Sequence, residues 1–345
     1  MPEAGSAKPT QSTSAAKNAD SALAVKVDED TYDLTYDAER DLVWFAVMQI
    51  SGPDWLYAVA PDGKSSRWSL PDSTHNGYLS RIIVDDEGAI WITQEYVLTR
   101  FDPTSETIRS VELPLESPFE LADALDPNNP APGTWISAIA PVPGGVIVAR
   151  NNVAAILGYD RKLQPTTQAA IPEEYAGARD IIPDPAGLVV LGGQTQLGRI
   201  AVISESGKVL RSGTIPSGIP ESRLARAGND ILVTGAPPSF VSATDLRPTP
   251  ALACAASPHA TVATAGAAGI VACYDSTTGS LVHGVGAAAV AITQLPVRQS
   301  EVVRPPPASP VTVRTAPTIT DMTVDTQGRV WFFVQNDHEL RWTGV

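Results

Sequence analysis

Six times along the chain a strand-like run ends in an aliphatic or small residue followed by proline: Leu70-Pro71, Leu113-Pro114, Ile171-Pro172, Ile215-Pro216, Ser257-Pro258 and Leu295-Pro296. Most intervals between these endings are about 40 to 45 residues and one is nearer 60, which matches the period of a β-propeller blade. Proline has no N–H to give to a sheet ladder, so it ends a strand rather than continuing one. The endings therefore divide the chain into repeated small sheets.

The clearest unit runs from Ser80 to Pro114 and splits into SRIIV, AIWIT, YVLTRFD and IRSVELP, with the turns DDEG and PTSET between strand segments. Each piece is short, rich in β-branched and aromatic residues, and bounded by turn formers. The same grammar recurs before and after it. The last unit, ending in HELRWTGV, has three strands and no fourth, while ALAVKV near the N-terminus is a strand with no unit of its own. Closing a propeller with that strand would remove exposed edges. The expected fold is all-β: a seven-bladed propeller of four-stranded antiparallel blades, with Leu23, Val25 and Val27 in the strand that completes the last blade. Residues 1–22 read as a flexible tether and 23–345 as a single propeller domain.

Gly 26 and Pro 30 supply the turns such a fold needs, and 43% hydrophobic residues supply its core. A net charge of −14 repels phosphate backbones and anionic lipid surfaces, so neither nucleic acid nor membrane is the expected partner. No run of about 18 apolar residues is present, so no transmembrane helix is expected. The Ala/Ser/Thr/Lys/Pro-rich start resembles the tether left after a signal or lipid-anchor segment is removed, which points to an extracytoplasmic protein, secreted or lipid-anchored. Cys254 and Cys273 are the only cysteines. They form either one disulfide, as two cysteines in a secreted domain can, or two buried thiols.

VDDEGAIWITQEYVLTRFDPTSETIRSVELP (Val84 to Pro114) and TVDTQGRVWFFVQNDHELRW (Thr323 to Trp342) resemble the repeat of the streptogramin lyase-like propellers. The shared pattern is valine-aspartate, a glycine turn, an aromatic strand, then a strand ending near an acidic turn. Trp91 and Trp331 are matched by Trp44 in blade 1 and by aliphatics in blades 3 to 6. The resemblance implies the fold. For the lyase itself it also implies a divalent metal such as Mg²⁺ held with histidine and glutamate in the central funnel. His259 and His283 fall in late blades, as the lyase histidines do, but without the motif around them, so no catalytic residue carries over. All four histidines (His75, His259, His283, His338) read as loop or surface residues.

Counting about seven residues back from each hairpin turn aligns the innermost strands. Gly88 leads to Arg81, Gly187 to Asp180, Gly328 to Asp321, and the Asn229-Asp230 turn to Arg223; blade 1 gives Asp33 or Leu34, blade 3 Ser137 or Ala138, and blade 6 Val262. Arg81, Asp180, Arg223 and Asp321 are therefore expected to face one funnel. Buried charges must pair. They form either a salt-bridged plug that fixes the blades, or a polar pocket in which arginines grip a carboxylate or phosphate. Two aspartates could hold Ca²⁺, although the adjacent arginines oppose it.

Two connections are long: Glu116 to Gly133, which is acidic, and Val297 to Pro317, which is basic and proline-rich. Arg298, Arg304 and Arg314 stand out on an acidic protein as a partner-binding loop, and Pro305-Pro306-Pro307 should be extended. No phosphate-binding loop, G-x-S-x-G elbow or H-E-x-x-H is present. The expected function is a non-catalytic propeller without cofactor, monomeric or within a larger complex. It binds a protein partner or small polar ligand through its funnel and loops. The alternatives are a metal-dependent lyase or hydrolase and a structural subunit of an envelope complex.

Overall fold

The computed structural model describes residues 5–6, 24–27, 31, 33–47, 53–71, 79–113, 135–151, 153–192, 198–215, 222–234, 238–249, 260–266, 269–285, 291–295, 298–302 and 311–343. They form a seven-bladed β-propeller. Each blade has strands A to D, counted outward from the axis. Blade 1 is Leu34–Asp37, Leu42–Val47, Trp55–Val59 and Ser65–Ser69; blade 2 is Leu79–Val84, Ile90–Gln94, Val97–Asp102 and Thr107–Glu112. Blade 3 is Ile136–Val142, Gly145–Arg150, Ala155–Asp160 and Pro165–Ala170; blade 4 is Asp180–Asp184, Gly187–Leu191, Arg199–Ile203 and Val209–Thr214. Blade 5 is Leu224–Ala227, Asp230–Val233, Ser239–Ser242 and Pro248–Thr249; blade 6 is Ala260–Ala265, Ile270–Asp275, Ser280–Val285 and Ala291–Gln294. Blade 7 takes strands A to C from Ile319–Val324, Val330–Val334 and Glu339–Thr343, and its strand D from Ala24–Lys26. Every neighbouring pair within a blade is antiparallel.

The N-terminal strand closes the ring as the sequence implies. Ala24 pairs with Arg341, Val25 with Leu340 and Lys26 with Glu339, and the Val27 N–H donates to the His338 carbonyl at 2.9 Å. Leu23 lies outside the described residues. Most of the expected tether does too, but Gly5–Ser6 pairs with Thr107 and Ile108 on the outer edge of blade 2.

The aliphatic residues before the prolines have a defined job. Leu70, Leu113, Ile171, Ile215 and Leu295 each donate one last backbone hydrogen bond beyond strand D, to Asp54, Tyr96, Ala154, Gly198 and Gly279 respectively. Each is also buried. Where the following residue is a proline, the ladder stops there. In blade 5 the end of strand D is Pro248–Thr249; Ser257-Pro258 lies outside the described residues.

Packing follows the ring. Seven clusters of buried side chains occupy the seven inter-blade interfaces. Strand B alternates between them: Ile90 and Ile92 face blade 1, while Trp91 between them faces blade 3.

The valine-aspartate motif is a capped turn. Asp85 Oδ1 accepts the N–H groups of Glu87 and Ala89, and its Oδ2 accepts Trp91 Nε1–H at 2.8 Å. Asp325 repeats this with Gln327, Arg329 and Trp331, again at 2.8 Å to the indole. Asp85 is thus buried. In blade 1 the turn is one residue longer: Asp37 is capped by Arg40, and Trp44 Nε1 has no partner. Blades 3, 4 and 5 replace the capped turn by two-residue turns at Pro143-Gly144, Pro185-Ala186 and Gly228-Asn229, which is why their motif is missing.

Candidate functional site

All four charged residues aligned from the sequence line one cavity of about 460 Å³ on the ring axis, together with Asp33. They sit within the first three residues of strand A in their blades, or one residue before it, which places them near the end where strand D of one blade hands over to strand A of the next. In blades 2, 3, 6 and 7 the A–B ladder breaks register at this level. Such bulges re-aim side chains that a regular strand would alternate.

The cluster is tied together across blades. Arg81 of blade 2 donates to Asp33 Oδ1 of blade 1 at 3.2 Å and to Asp180 Oδ2 of blade 4. Blade 3 lets this pair pass because it offers only the short Ser137 and Ala138 there, and Ser137 turns away to donate to the Ala178 carbonyl at 2.7 Å. The carboxylates also bind backbone. Asp33 accepts the Ile82 N–H at 2.5 Å, Asp180 the Leu224 N–H at 2.6 Å, and Asp321 the Leu34 N–H at 2.6 Å. Each of these contacts joins one blade to the next. Thr320 repeats the role of Ser137, donating to the Thr31 carbonyl at 2.7 Å.

Three carboxylates face two guanidiniums in this layer, so it is not electrically neutral when all are ionised. Burial pushes the Asp321 carboxyl up to about 7, reinforced by the nearby Asp33 charge. Burial also raises Asp33, against the pull of Arg81. Burial opposes the charge on Arg81 too, but Asp180 and Asp33 outweigh it and hold its pKa above the ordinary value. Arg223 is lowered by burial and by repulsion from Arg81.

Comparison with known proteins bears on the fold. No family model matches the sequence, and no curated protein matches it. A virginiamycin B lyase from Staphylococcus aureus superposes with a TM-score of 0.65 at 15% identity, covering 93% of this chain and 98% of that one. A streptogramin B lyase gives 0.64 at 13% identity, covering 97% of each chain. The fold is that of the streptogramin lyase-like propellers. The Neurospora crassa Pan2 WD40 domain shares it at 10% identity, with a TM-score of 0.60 over 91% of this chain and 88% of that one.

A divalent cation, which the streptogramin lyase resemblance implies for the lyase itself, does not fit the described funnel residues. Arg81 occupies the space between Asp33 and Asp180, and all three funnel carboxylates already accept backbone N–H groups. Among the described residues no three His, Cys, Asp or Glu side chains are grouped to hold a metal ion. His75 and His259 lie outside the described residues. His283 corrects the surface reading: it is 4% exposed, on strand C of blade 6 opposite Ala272, and burial lowers its pKa. It does not line the funnel. His338 ends a short 3₁₀ turn in a left-handed conformation.

The basic connection before blade 7 is not an extended loop throughout. Arg298–Val302 and Val311–Thr315 pair as a hairpin, with Arg298 opposite Thr315 and Arg314 opposite Gln299. The alternation of β-branched residues in VVRPPPASPVTV hid this behind its prolines; Arg304 and Pro305-Pro306-Pro307 lie outside the described residues. Cys273 is fully buried on strand B of blade 6 and disulfide-bonded. Cys254, the one other cysteine, lies outside the described residues.

Proposed function

We propose that this chain is a non-catalytic, extracytoplasmic β-propeller that binds a protein partner or polar ligand through the face where the funnel opens. The observation that carries this is the use made of the funnel charges. Arg81 is spent on Asp33 and Asp180, and the carboxylates are spent on the backbone of neighbouring blades. A general base must be able to reach a substrate proton, and groups tied this way are structural first. The face above them carries the described connections from each strand D to the next strand A, including the paired strands Arg298–Val302 and Val311–Thr315. The bonded Cys273 supports an oxidising compartment, and a structural neighbour is the extracellular domain of a putative one component system from B. thetaiotaomicron.

The second reading is lyase activity, favoured by the neighbours named as streptogramin B and virginiamycin B lyases, one of them solved with quinupristin. Incubation of the purified chain with quinupristin and Mg²⁺, followed by mass spectrometry, separates the two. Intact quinupristin is expected; a linearised product would overturn the non-catalytic reading. A pull-down with a chain lacking residues 298–314 tests the binding face. Loss of captured partners relative to the full chain is expected, and an unchanged set would refute docking through that hairpin.

A further inference from the structure

The face opposite the funnel mouth carries the A–B and C–D turns, and two of its arginines each serve two carboxylates. Arg161 is shared between Asp86 and Glu87, and Arg329 between Asp41 and Asp325. In each case one cation serves two carboxylates. Between blades 4 and 5 the count is reversed. Asp184, at the end of strand A of blade 4, accepts Arg211 Nη2 on Oδ1 and Arg226 Nη2 on Oδ2, both at 2.9 Å. Two arginines thus share one carboxylate.

We propose that this groove binds an oxyanion, the phosphate or carboxylate group of a small molecule, between Arg211 and Arg226. This goes beyond the funnel reading and does not depend on it. Two guanidiniums against one carboxylate leave an excess positive charge, on a chain whose net charge is −14. The Asp184 side chain is only 3% exposed, whereas each arginine keeps 32% of its side chain open. The carboxylate is thus the buried anchor and the guanidiniums are the accessible part. Burial alone would raise the Asp184 pKa, but the Ala186 N–H and both arginines hold it below the ordinary value. The anchor therefore stays ionised and keeps both forks in place at neutral pH.

The donors needed for an anion remain. A guanidinium carries five N–H groups in a fixed plane. Arg211 spends only Nη2, and its Nε is buried without a partner. Arg226 spends Nη2 on Asp184 and on the Pro183 carbonyl at 3.2 Å. Arg211 Nη1 and the unspent N–H groups of Arg226 remain, held in advance by the anchor, which lowers the ordering cost of binding. Both arginines line an open groove of about 840 Å³, with Asn229 and Thr244 on its rim. Gly228 leaves its floor clear, since a Cβ there would meet nothing within 4 Å. Guanidiniums with unspent donors recognise phosphate or carboxylate in two-point contacts.

The test titrates the full chain calorimetrically with inorganic phosphate, and separately with acetate, at constant ionic strength. Saturable binding of at least one probe is expected, and which one binds assigns phosphate or carboxylate. Arg226→Gln should weaken it at least about tenfold. Thr244→Glu, at an exposed rim position, should do the same without disturbing the core. Arg161→Gln should leave it unchanged. Should Arg226→Gln fail to fold, Thr244→Glu decides alone. The proposal is overturned if neither probe saturates, or if both bind Thr244→Glu as tightly as the parent chain.

Discussion

Arg81 of blade 2 is ion-paired with Asp180 of blade 4, 99 residues further along the chain and with the whole of blade 3 between them. The same guanidinium reaches back to Asp33 of blade 1. One side chain therefore ties four consecutive blades at the axis, three by direct contact and the fourth by enclosure. Its side chain is only 14% exposed, so its removal would strand two buried carboxylates.

Arg81→Met should therefore destabilise the fold by about 3–5 kcal/mol, the range for breaking a buried ion pair by removing one partner. Urea denaturation of both proteins measures this. Adding Asp180→Asn should recover part of the loss, because it removes one of the stranded charges. A single substitution with no effect on the midpoint would show that the cluster does not hold the blades.

Much of this site was legible in the sequence. Counting back from hairpin turns found Arg81, Asp180, Arg223 and Asp321 because the interval from the axis-facing residue to the turn is the same in these four blades, although their A strands differ in length. The same count left blade 1 open between Asp33 and Leu34, since its turn is one residue longer and Asp41, not glycine, takes the positive φ of 54°. The pairing of Arg81 across blade 3 was not legible, as it depends on what Ser137 does not fill. The hydroxyls before the aligned residues, Ser137 and Thr320, were visible as a repeat but carried no signal until their inter-blade contacts were seen. His283 was misread as surface because periodicity does not distinguish a polar residue on a buried strand face from one on an exposed face.

Asp321 should make the protein unusual in its response to pH. Its folded pKa of about 7 lies above the ordinary 3.8, so between these values the folded state binds more protons than the unfolded one. Stability from this group then falls as pH rises through that window. Asp33 contributes with the same sign, whereas His283, lowered by burial from 6.5, acts oppositely in acid. Comparing the parent with Asp321→Asn isolates the effect: the melting temperature of the variant should fall less between pH 5 and pH 8. Parallel curves would show that Asp321 ionises normally.

The capped turns can be tested by removing one acceptor. Asp85→Ala orphans the N–H groups of Glu87 and Ala89 and the buried Trp91 indole. A loss of about 1–3 kcal/mol is expected from the buried indole alone. The Asp62 turn, exposed and capping only Lys64, is the control, with Asp62→Ala expected to change the denaturation midpoint little.

Reduction should weaken the interface between blades 5 and 6. Cys273 packs there against Leu232 and Phe240. A bond to Cys254 would close a short loop, for which about 2–4 kcal/mol is typical. Thiol titration of the denatured, unreduced protein should find no free thiols, and dithiothreitol should expose two. Two free thiols before reduction would mean that no bond forms.

Blade 7 sets a timetable for folding. Val25 cannot find its neighbour until Leu340 has been synthesised, which at about 5–20 residues per second is a wait on the order of 15–60 s. Throughout that interval blades 1 to 6 can stack in order, but the interface between blades 7 and 1 has one wall missing. The chain therefore lives for tens of seconds as an open arc whose two ends are both sticky, and a second arc could join them as readily as its own tail. Closure with the correct strand is the step at which one ring is chosen over an intertwined pair.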